Sequence, residues 1–435
     1  RAIASGALAT GEAVIVNSDG TVSVVGSAPI SQAIGSAAVF ESATSGVGKM
    51  GSAFDSNLNK IVVAYRDGGN SNYSTAVVGT VSGTSISFGT PTVFESSAGQ
   101  DFSPAFDTNA NKVVIAYTGA NDYGRSVVGT VSGTSITFGS SVIFYSGVAT
   151  FDSAVFDSSN NKIVIAYKDN SNSSIGRAIV GTVSGSSISY GSAVTWASST
   201  VQYLSIAFDS SNNKVVISAQ VGNYGKSIVG TVSGTSISFG SITTFDTDIY
   251  AEWTSTAFDS INNKIVVAWK IYSGGWYGKA IVGSVSGTNI SFGDAVTYAS
   301  STISSVSATF DSNTGTVVVS YRDENNSNKG TFVTGTVSGT SISFTSPTVF
   351  EGNSTNYISS TFDSNSNKIV VSYQDAGNSN YGTARVVQPP GSVPNLTSEN
   401  FVGFANSGYA DGQSAAINST CMVDSNQTSL TAGQT

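Results

Sequence analysis

Seven aspartates recur along the chain at a spacing that first raises the question of catalysis. Each follows a phenylalanine, and successive copies are 50 or 52 residues apart. The pairs are Phe54-Asp55, Phe106-Asp107, Phe156-Asp157, Phe208-Asp209, Phe258-Asp259, Phe310-Asp311 and Phe362-Asp363. Catalysis needs one asymmetric arrangement of groups, whereas these carboxylates repeat at equivalent positions. Because each pair precedes a turn rich in Ser and Asn, where Asp accepts hydrogen bonds from backbone amides, we predict that these aspartates cap turns.

Other catalytic and metal-binding arrangements find little support in the sequence. The chain has no histidine, so a Ser-His-Asp triad is impossible. A glycosidase needs two carboxylates facing each other across a cleft, and no spacing selects such a pair. Segments 67–72 and 375–380 offer Asp and Asn oxygens that calcium would accept, but neither shows the Glu of an EF-hand. We therefore predict a non-enzyme without catalytic residues, cofactor or metal, and keep calcium as an alternative.

The composition narrows the class of partner. The chain has 435 residues, a formal net charge of −9 and a pI of about 4.5, so no basic face exists for a nucleic acid. Charged residues are only 10% of the chain, and such neutral polar surfaces suit extracellular or particle-bound proteins. No apolar run reaches the roughly 18 residues of a membrane span. The single cysteine, Cys421, excludes an internal disulfide, and a start at Arg1 instead of Met indicates a processed or partial product.

Each repeat of about 50 residues offers four strands. In the first copy they are A (51–55), B (60–66), C (75–81) and D (from 85 through 94). Strand B is an almost unbroken apolar run, as expected of a strand covered on both faces. No segment shows a sustained helical period. Four antiparallel strands at this period are typical of a β-propeller blade, with a β-solenoid or an array of separate sandwiches as alternatives.

The two ends of the repeat array predict ring closure. The last copy has strand C at 383–387 but no strand D after it, whereas residues 33–42 align with the D segment 87–96. We therefore predict an all-β, seven-bladed β-propeller of four-stranded antiparallel blades. Its last blade would be completed by the N-terminal strand, which removes the exposed sheet edges.

The predicted domains follow from this closure. Residues 1–29 form a head with a β-hairpin, 30–388 the propeller, 389–394 a Pro/Gly linker and 395–435 a β-rich attachment tail. Head and tail should leave the propeller together, and each is too short to build much of a core alone. We expect them to pack together, or against a neighbouring subunit, and we expect a homo-oligomer.

One face of the ring is predicted to vary. The A–B and C–D turns hardly change, whereas the B–C loops and D–A connections differ among copies, the latter adding Tyr203, Trp253 and Tyr357. Amide, carboxylate and aromatic groups together suit sugar recognition, although loops are also polar simply because they face water. The candidate ligand-binding residues are Arg66, Asp67, Tyr73, Asp122, Tyr123, Tyr224, Trp253, Trp276, Tyr277, Arg322, Asp323 and Tyr381. Trp276 and Tyr277 are the preferred aromatic candidates, because they break the Asn-rich loop pattern.

A family resemblance suggests a location. The segment Val-Gly-Thr-Val-Ser-Gly-Thr-Ser-Ile-Ser-Phe-Gly-Thr-Pro-Thr-Val-Phe (78–94), with Ala-Phe-Asp-Ser and Lys-Ile-Val-Val-Ala-Tyr-Arg-Asp, resembles propeller repeats of bacteriophage tail fibres and other virion appendages, especially of marine phages. The resemblance covers residues 33–388. It implies a virion or extracellular location and contacts with other virion or filament subunits through the terminal segments. It carries over no catalytic residue.

The C–D hairpin (80–88) also resembles a degenerate sialidase Asp-box in which the Asp and Trp are missing. Sialidases use an arginine triad, whereas this chain has only six arginines, one of which is the terminal Arg1. The small number of arginines argues against sialidase activity. We therefore expect a non-enzymatic, tail-fibre-like adhesive protein whose variable face binds a cell-surface glycan or another host surface. The alternatives are a secreted bacterial lectin, surface adhesin or filament subunit, and a sialidase-like glycoside hydrolase.

Overall fold

A computed structural model of the chain describes residues 2–42, 47–248, 250–272, 275–395, 401–405 and 407–418. It is all-β: within these ranges the helical segments are two short 3-10 turns, Ala120–Asp122 and Glu324–Asn326. The chain divides into two compact units. Unit 1 combines residues 1–31 with 390–435, and unit 2 is residues 32–389. No helix among the described residues is long and apolar enough to cross a membrane.

Unit 2 contains the seven repeats, numbered here 1 to 7, each beginning with strands A and B. The A strands are Val47–Asp55, Gln100–Asp107, the second half of Val142–Asp157, Val201–Asp209, Ala251–Asp259, Ile303–Asp311 and the second half of Thr348–Asp363. The B strands are Lys60–Asp67, Lys112–Thr118, Lys162–Asp169, Lys214–Val221, Lys264–Ile271, Thr316–Asp323 and Lys368–Asp375. Each A strand ends at the aspartate of its Phe-Asp pair.

Strands C and D complete each repeat. The C strands are Tyr73–Ser82, Tyr123–Ser132, Ile175–Ser184, Tyr224–Ser233, Gly278–Ser286, Lys329–Ser338 and Tyr381–Gln388. The D strands come in two pieces: Ser85–Phe88 with Thr92–Ala98, Ser135–Phe138 with the first half of Val142–Asp157, Ser187–Tyr190 with Val194–Ala197, Ser236–Phe239 with Thr243–Asp246, Asn289–Phe292 with Val296–Ala299, Ser341–Phe344 with the first half of Thr348–Asp363, and Ala33–Ile34 with Ala38–Glu41. The pairing order is A–B–C–D, antiparallel throughout.

The seventh D strand comes from the N-terminal part of unit 2. Ala38 and Val39 pair with Ala384 and Thr383, and Ile34 pairs with Val387. The pairing predicted between residues 33–40 and the C strand of the last repeat is therefore confirmed. It gives repeat 7 the fourth strand that its own sequence lacks.

The B strands are buried on both faces because the repeats pack face to face. In repeat 1, Val62 packs in a cluster with Val113 of repeat 2, whereas its neighbour Val63 packs in a cluster with Val370 of repeat 7. Alternate side chains of one strand thus enter two different cores. This explains why strand B reads as a continuous apolar run instead of alternating, and it places repeat 1 against repeat 7.

A recurring hydrogen bond also joins neighbouring repeats. The donors are backbone N–H groups and the acceptors are serine Oγ atoms near the middle of the preceding A strand: Ala154 to Ser103, Thr256 to Ser205, Ala308 to Ser255, Ser360 to Ser307, and Ser52 to Ser359, at 2.9–3.0 Å. The last of these joins repeat 1 to repeat 7. It obeys the same rule as the bonds between consecutive repeats.

The aspartates of the Phe-Asp pairs cap turns, as predicted. Asp55 Oδ1 accepts the backbone N–H groups of Asn57 and Leu58, each at 3.0 Å. The other six aspartates make the same two bonds. All seven are buried, and their amide bonds satisfy one carboxylate oxygen at each turn.

Unit 1 is a small β structure made from both ends of the chain. Its strands are Ala2–Ile3, Ala13–Val16, Val22–Val24, Ser27–Ile30, Gly391–Pro394, Phe401–Ala405, Ser414–Ala415 and Ile417–Asn418. The predicted hairpin is present, and its first strand also pairs with Phe401–Ala405. Val14, Val22 and Ala405 share one core.

The structure of unit 1 bears on the predicted linker (389–394) and tail (395–435). Gly391–Pro394, interpreted from the sequence as part of a linker, forms a strand paired with Ser27–Ile30. Backbone hydrogen bonds therefore order a segment whose Pro and Gly content suggested irregular chain. Of the predicted tail, residues 396–400, 406 and 419–435 lie outside the described residues, as does Cys421.

Candidate ligand-binding site

Asp67, one of the predicted ligand-binding residues, stabilises its own loop. Asp67 ends the B strand of repeat 1, and its carboxylate accepts the N–H groups of Gly69 and Asn70 at 3.0 and 3.1 Å. Burial, and next the Glu41 carboxylate, raise the pKa of Asp67. Asp67 is thus a buried turn cap, which leaves little of it for a ligand.

Other predicted residues are distributed over several repeats. Arg322 in repeat 6 donates to the side-chain oxygens of Asn328 and Asn356 at 3.1 and 2.7 Å, so it ties a loop to the next repeat. Asp323 follows it directly at the end of the same B strand. Tyr224 in repeat 4 is 43% exposed, and the Lys226 ammonium lies 5.9 Å from its ring centre. The remaining candidates outside repeat 5 lie in or beside the B–C loops of repeats 1, 2 and 7: Arg66, Tyr73, Asp122, Tyr123 and Tyr381.

Every A strand contains a β-bulge, and these bulges bring side chains from several repeats together. In repeat 4 the pairing with strand B is interrupted between Gln202 and Ser205, and all seven A strands have the same irregularity. The residue five positions before the Phe of the Phe-Asp pair lies within each bulge: Lys49, Asp101, Phe151, Tyr203, Trp253, Ser305 and Tyr357. Asp101, Tyr203, Trp253, Ser305 and Tyr357 share a φ of 50–52°, while the side chain changes from copy to copy.

The bulges surround a cavity of about 220 Å³, named here the bulge pocket. Its lining has two layers. The outer layer consists of the residues five positions before the Phe of a Phe-Asp pair: Lys49, Asp101, Tyr203, Trp253, Ser305 and Tyr357. The residues that follow them form a mainly apolar inner layer: Met50, Phe102, Leu204, Thr254, Val306 and Ile358. Lys49 and Asp101 form an ion pair in the outer layer.

Five aromatic side chains in repeats 4 and 5 form a cluster beside this pocket, named here the aromatic cluster. The Tyr203 and Trp253 ring centres are 5.8 Å apart. Tyr250 meets Tyr272 edge-on at 5.6 Å, and Tyr272 meets Trp276 at 4.1 Å with an interplanar angle of 85°. Tyr250 is 40% exposed and Tyr272 is 48% exposed, so the cluster presents apolar ring surface to solvent.

The aromatic cluster has two groups of rings, Tyr203 with Trp253 and Tyr250 with Tyr272 and Trp276, and a charged pair lies between them in the chain of contacts. The Lys270 ammonium lies 3.5 Å from the Glu252 carboxylate and 4.2 Å from the Trp276 ring centre. Glu252 precedes Trp253 in the same strand. The pKa of Tyr203 is raised first by burial and second by the nearby negative charge of Glu252. Stacking surface, an anionic acceptor and a cationic donor thus occur together.

The backbone of the aromatic cluster is strained. Tyr203, Tyr250, Trp253 and Trp276 have φ values of 50°, 65°, 52° and 65°. Bulky residues seldom adopt this left-handed region, and each such position costs roughly 1–3 kcal/mol. The bulge itself does not require an aromatic residue, because Ser305 has φ 52° at the equivalent position of repeat 6. Strain of this kind is concentrated at functional sites.

The structure separates the two preferred aromatic candidates. Trp276 belongs to the aromatic cluster, whereas its neighbour Tyr277 packs against the buried core of repeats 4 and 5. Sequence reasoning missed Tyr250, Tyr272, Glu252 and Lys270 in the cluster, and Lys49 and Asp101 in the bulge pocket. Aligning the copies at the fifth position before each Phe-Asp pair would have revealed the bulge residues.

The described residues contain no group of three or more His, Cys, Asp or Glu side chains placed to hold a metal ion. The aromatic rings and the two lysine–carboxylate pairs of the pocket and cluster offer stacking surface, hydrogen-bonding groups and charges. No protein-family model matches the chain, and no match was found among curated protein sequences.

Comparison with solved structures defines the fold class. The BP39L lectin from Burkholderia pseudomallei superposes with a TM-score of 0.59 at 10% identity, covering 82% of this chain and 99% of the lectin. A mutant of the NanB sialidase from Streptococcus pneumoniae gives 0.45 at 13% identity, with 82% and 70% covered. AofleA from Arthrobotrys oligospora gives 0.46 at 10% identity, with 72% and 90% covered. The likeness to the lectin shows an all-β fold of the propeller type.

Proposed function

We propose that the protein is a non-enzymatic, carbohydrate-binding, seven-bladed β-propeller whose aromatic cluster and bulge pocket bind a glycan. The ring is supported by the contacts between repeats 1 and 7. Val63 and Val370 share a core, and the Ser52 N–H donates to Ser359 Oγ at 3.0 Å. Seven four-stranded units joined in this way correspond to seven blades.

The observation that carries the proposed binding is the strained, solvent-facing aromatic cluster around the Glu252–Lys270 pair. A pyranose ring has C–H faces that stack on aromatic rings and hydroxyl groups that need donors and acceptors. Trp253 and Trp276 offer stacking surface, while the Glu252 carboxylate, held by the buried Lys270, offers a polar partner. The backbone strain is understandable if these side chains are held for a ligand.

The pairing of two carboxylates, one in the bulge pocket and one in the aromatic cluster, supports a binding site that is not catalytic. Asp101 pairs with Lys49, and Glu252 pairs with Lys270 at 3.5 Å. A glycosidase needs a general acid and a second carboxylate across the scissile bond. Here each carboxylate is paired with a lysine instead. The glycoside hydrolase alternative therefore gains nothing from the geometry.

The location and partners are part of the same proposal. We infer that the chain is an adhesive appendage of a virion or of another extracellular particle or filament, with unit 1 as its attachment module. The support is the low charge, the resemblance to tail-fibre repeats and the core that both chain ends share in unit 1. A chain lacking residues 395–435 should keep glycan binding but fail to assemble into its particle or filament. Normal assembly of this truncated chain would place attachment elsewhere.

A glycan array tests the binding proposal. The wild type should bind a defined set of glycans, and Trp276→Ala should weaken that binding about tenfold or more, since buried aromatic anchors dominate recognition. Tyr224→Ala is the matched control, because Tyr224 is an exposed tyrosine at the start of the C strand of repeat 4, outside the cluster. No bound glycan, or equal losses in both variants, would overturn the proposal. Hydrolysis of a bound glycan would favour the enzyme alternative.

A further inference from the structure

The bulge pocket differs from the aromatic cluster in size and enclosure. Its volume of about 220 Å³ is below the roughly 300–1,000 Å³ of pockets that enclose drug-sized ligands. Phe102, Leu204 and Ile358 of its inner layer are buried and belong to A strands. The pocket is therefore suited to a single ring held end-on, and an oligosaccharide would have to extend outside it.

The outer layer of the pocket has two chemically different sides. The Lys49–Asp101 ion pair comes from the adjacent repeats 1 and 2. Tyr203, Trp253 and Tyr357 come from repeats 4, 5 and 7. A purely apolar ligand would take the ion pair out of water without replacing its hydrogen bonds, which is unfavourable. A sugar ring can meet the aromatic residues with its C–H face and the ion pair with its hydroxyl groups.

The charge of the lining selects among sugars. Lys49 and Asp101 are the charged residues that line the pocket, and they neutralise each other. An acidic sugar would gain no net attraction there, and its carboxylate would lose hydration. The lining thus favours an uncharged sugar.

Trp253 connects the pocket with the rest of the aromatic cluster. It lines the pocket, stands 5.8 Å from Tyr203 and follows Glu252, which pairs with Lys270 beside Trp276. We propose that the bulge pocket holds one uncharged terminal pyranose of the bound glycan, and that the next sugars extend over Tyr272 and Trp276. This inference rests on the proposed carbohydrate binding and adds the class and position of the terminal sugar.

The test is calorimetric titration of the full chain with the best array glycan and with the methyl glycoside of its terminal sugar. Ser305→Tyr fills the pocket with a side chain that Tyr357 already places at the equivalent bulge. It should weaken binding of both ligands about tenfold or more. Trp276→Ala should instead lower the ratio of oligosaccharide affinity to monosaccharide affinity about tenfold, because it removes only the outer contacts.

Asp101→Asn provides a second variant that keeps the shape of the bulge, since Asn tolerates the left-handed region. It should weaken binding of the methyl glycoside, with an unchanged melting temperature showing that the fold persists. Normal glycan binding by Ser305→Tyr and Asp101→Asn would overturn the pocket assignment while leaving the proposed function intact. Tighter binding of the corresponding uronic acid would overturn the preference for an uncharged sugar. Failure of the wild type to bind any glycan would overturn both proposals.

Discussion

Gly51 lies against Pro104 at the junction of repeats 1 and 2, where five other junctions have a serine hydroxyl and a backbone N–H. Proline has no N–H to donate, and a Cβ on Gly51 would stand 2.3 Å from the Phe102 carbonyl oxygen and 2.7 Å from Pro104 Cδ. Gly51 thus stands where the other junctions have the accepting serine, and Pro104 stands where they have the donating N–H group. Close packing takes the place of the hydrogen bond at this junction.

Gly51→Ala should therefore lower the free energy of unfolding by about 1–3 kcal/mol, the usual cost of inserting a methyl group into a packed site. Urea unfolding of the full chain measures it. Gly352→Ala is the control, because a Cβ there meets nothing within 4 Å. Equal stability of the two variants would contradict the close contact between repeats 1 and 2.

The N-terminal strand should be as important to stability as any strand within the repeats. Phe40 is buried and packs against Tyr65 and Phe88 at ring separations of 5.2 and 5.3 Å. Phe40→Ala should cost about 3–5 kcal/mol. Val39 on the same strand is 43% exposed, so Val39→Ala should cost far less. Similar, small losses in both variants would show that this strand does not contribute to the core between repeats 7 and 1.

Relief of backbone strain should be measurable at Tyr250. Tyr250→Asn and Tyr250→Leu both remove the ring contact with Tyr272, at a residue whose φ is 65°. Asn adopts this region at little cost. Tyr250→Asn should thus be the more stable variant, by about 1–3 kcal/mol in urea unfolding. The reverse order would mean that the Tyr250 backbone is unstrained.

Glu351 should make stability depend on pH. It accepts hydrogen bonds from Tyr373 at 2.6 Å and Arg385 at 3.0 Å. Burial raises the pKa of Glu351, but these bonds and the Asn353 N–H outweigh that effect and hold it below the ordinary value. A carboxyl with a lowered folded-state pKa stabilises the fold above its unfolded pKa, and this contribution is lost as pH falls through the folded pKa.

Glu351→Gln should therefore be less stable than the wild type near neutral pH, and should lose less stability between about pH 5 and about pH 3. Urea unfolding across this range measures both effects. Asp294→Asn, at an exposed position, serves as the control. Parallel pH profiles for the wild type and Glu351→Gln would contradict the assigned role of Glu351.

Much of the fold was predictable because it depends on repeated local signals. The Phe-Asp pairs mark turns that Asp caps in every copy, and the apolar B strands indicate burial on both faces. The pairing of residues 33–41 with the last C strand followed from alignment with 87–96. These features need only the period and the hydrophobic pattern.

The candidate site was harder to predict because it depends on departures from that pattern. A bulge with a left-handed residue follows no propensity rule, so the pattern predicts Tyr203 and Trp253 in D–A connections of the variable face but does not reveal the bulges that bring them to one pocket. Trp276 and Tyr277 are adjacent in sequence, yet one joins the aromatic cluster and the other packs into the core. Asp67 is polar and belongs to a predicted loop, but in the structure it ends strand B and its carboxylate accepts the N–H groups of the following turn.

Trp253 lies in both the bulge pocket and the aromatic cluster, so its replacement tests the central claim most directly. Titration of the best array glycan into the full chain should show that Trp253→Ala weakens binding about thirtyfold or more, as expected for a central aromatic anchor. Tyr224→Ala should retain wild-type affinity in the same titration. A folded Trp253→Ala variant that binds the glycan as tightly as the wild type would contradict the account.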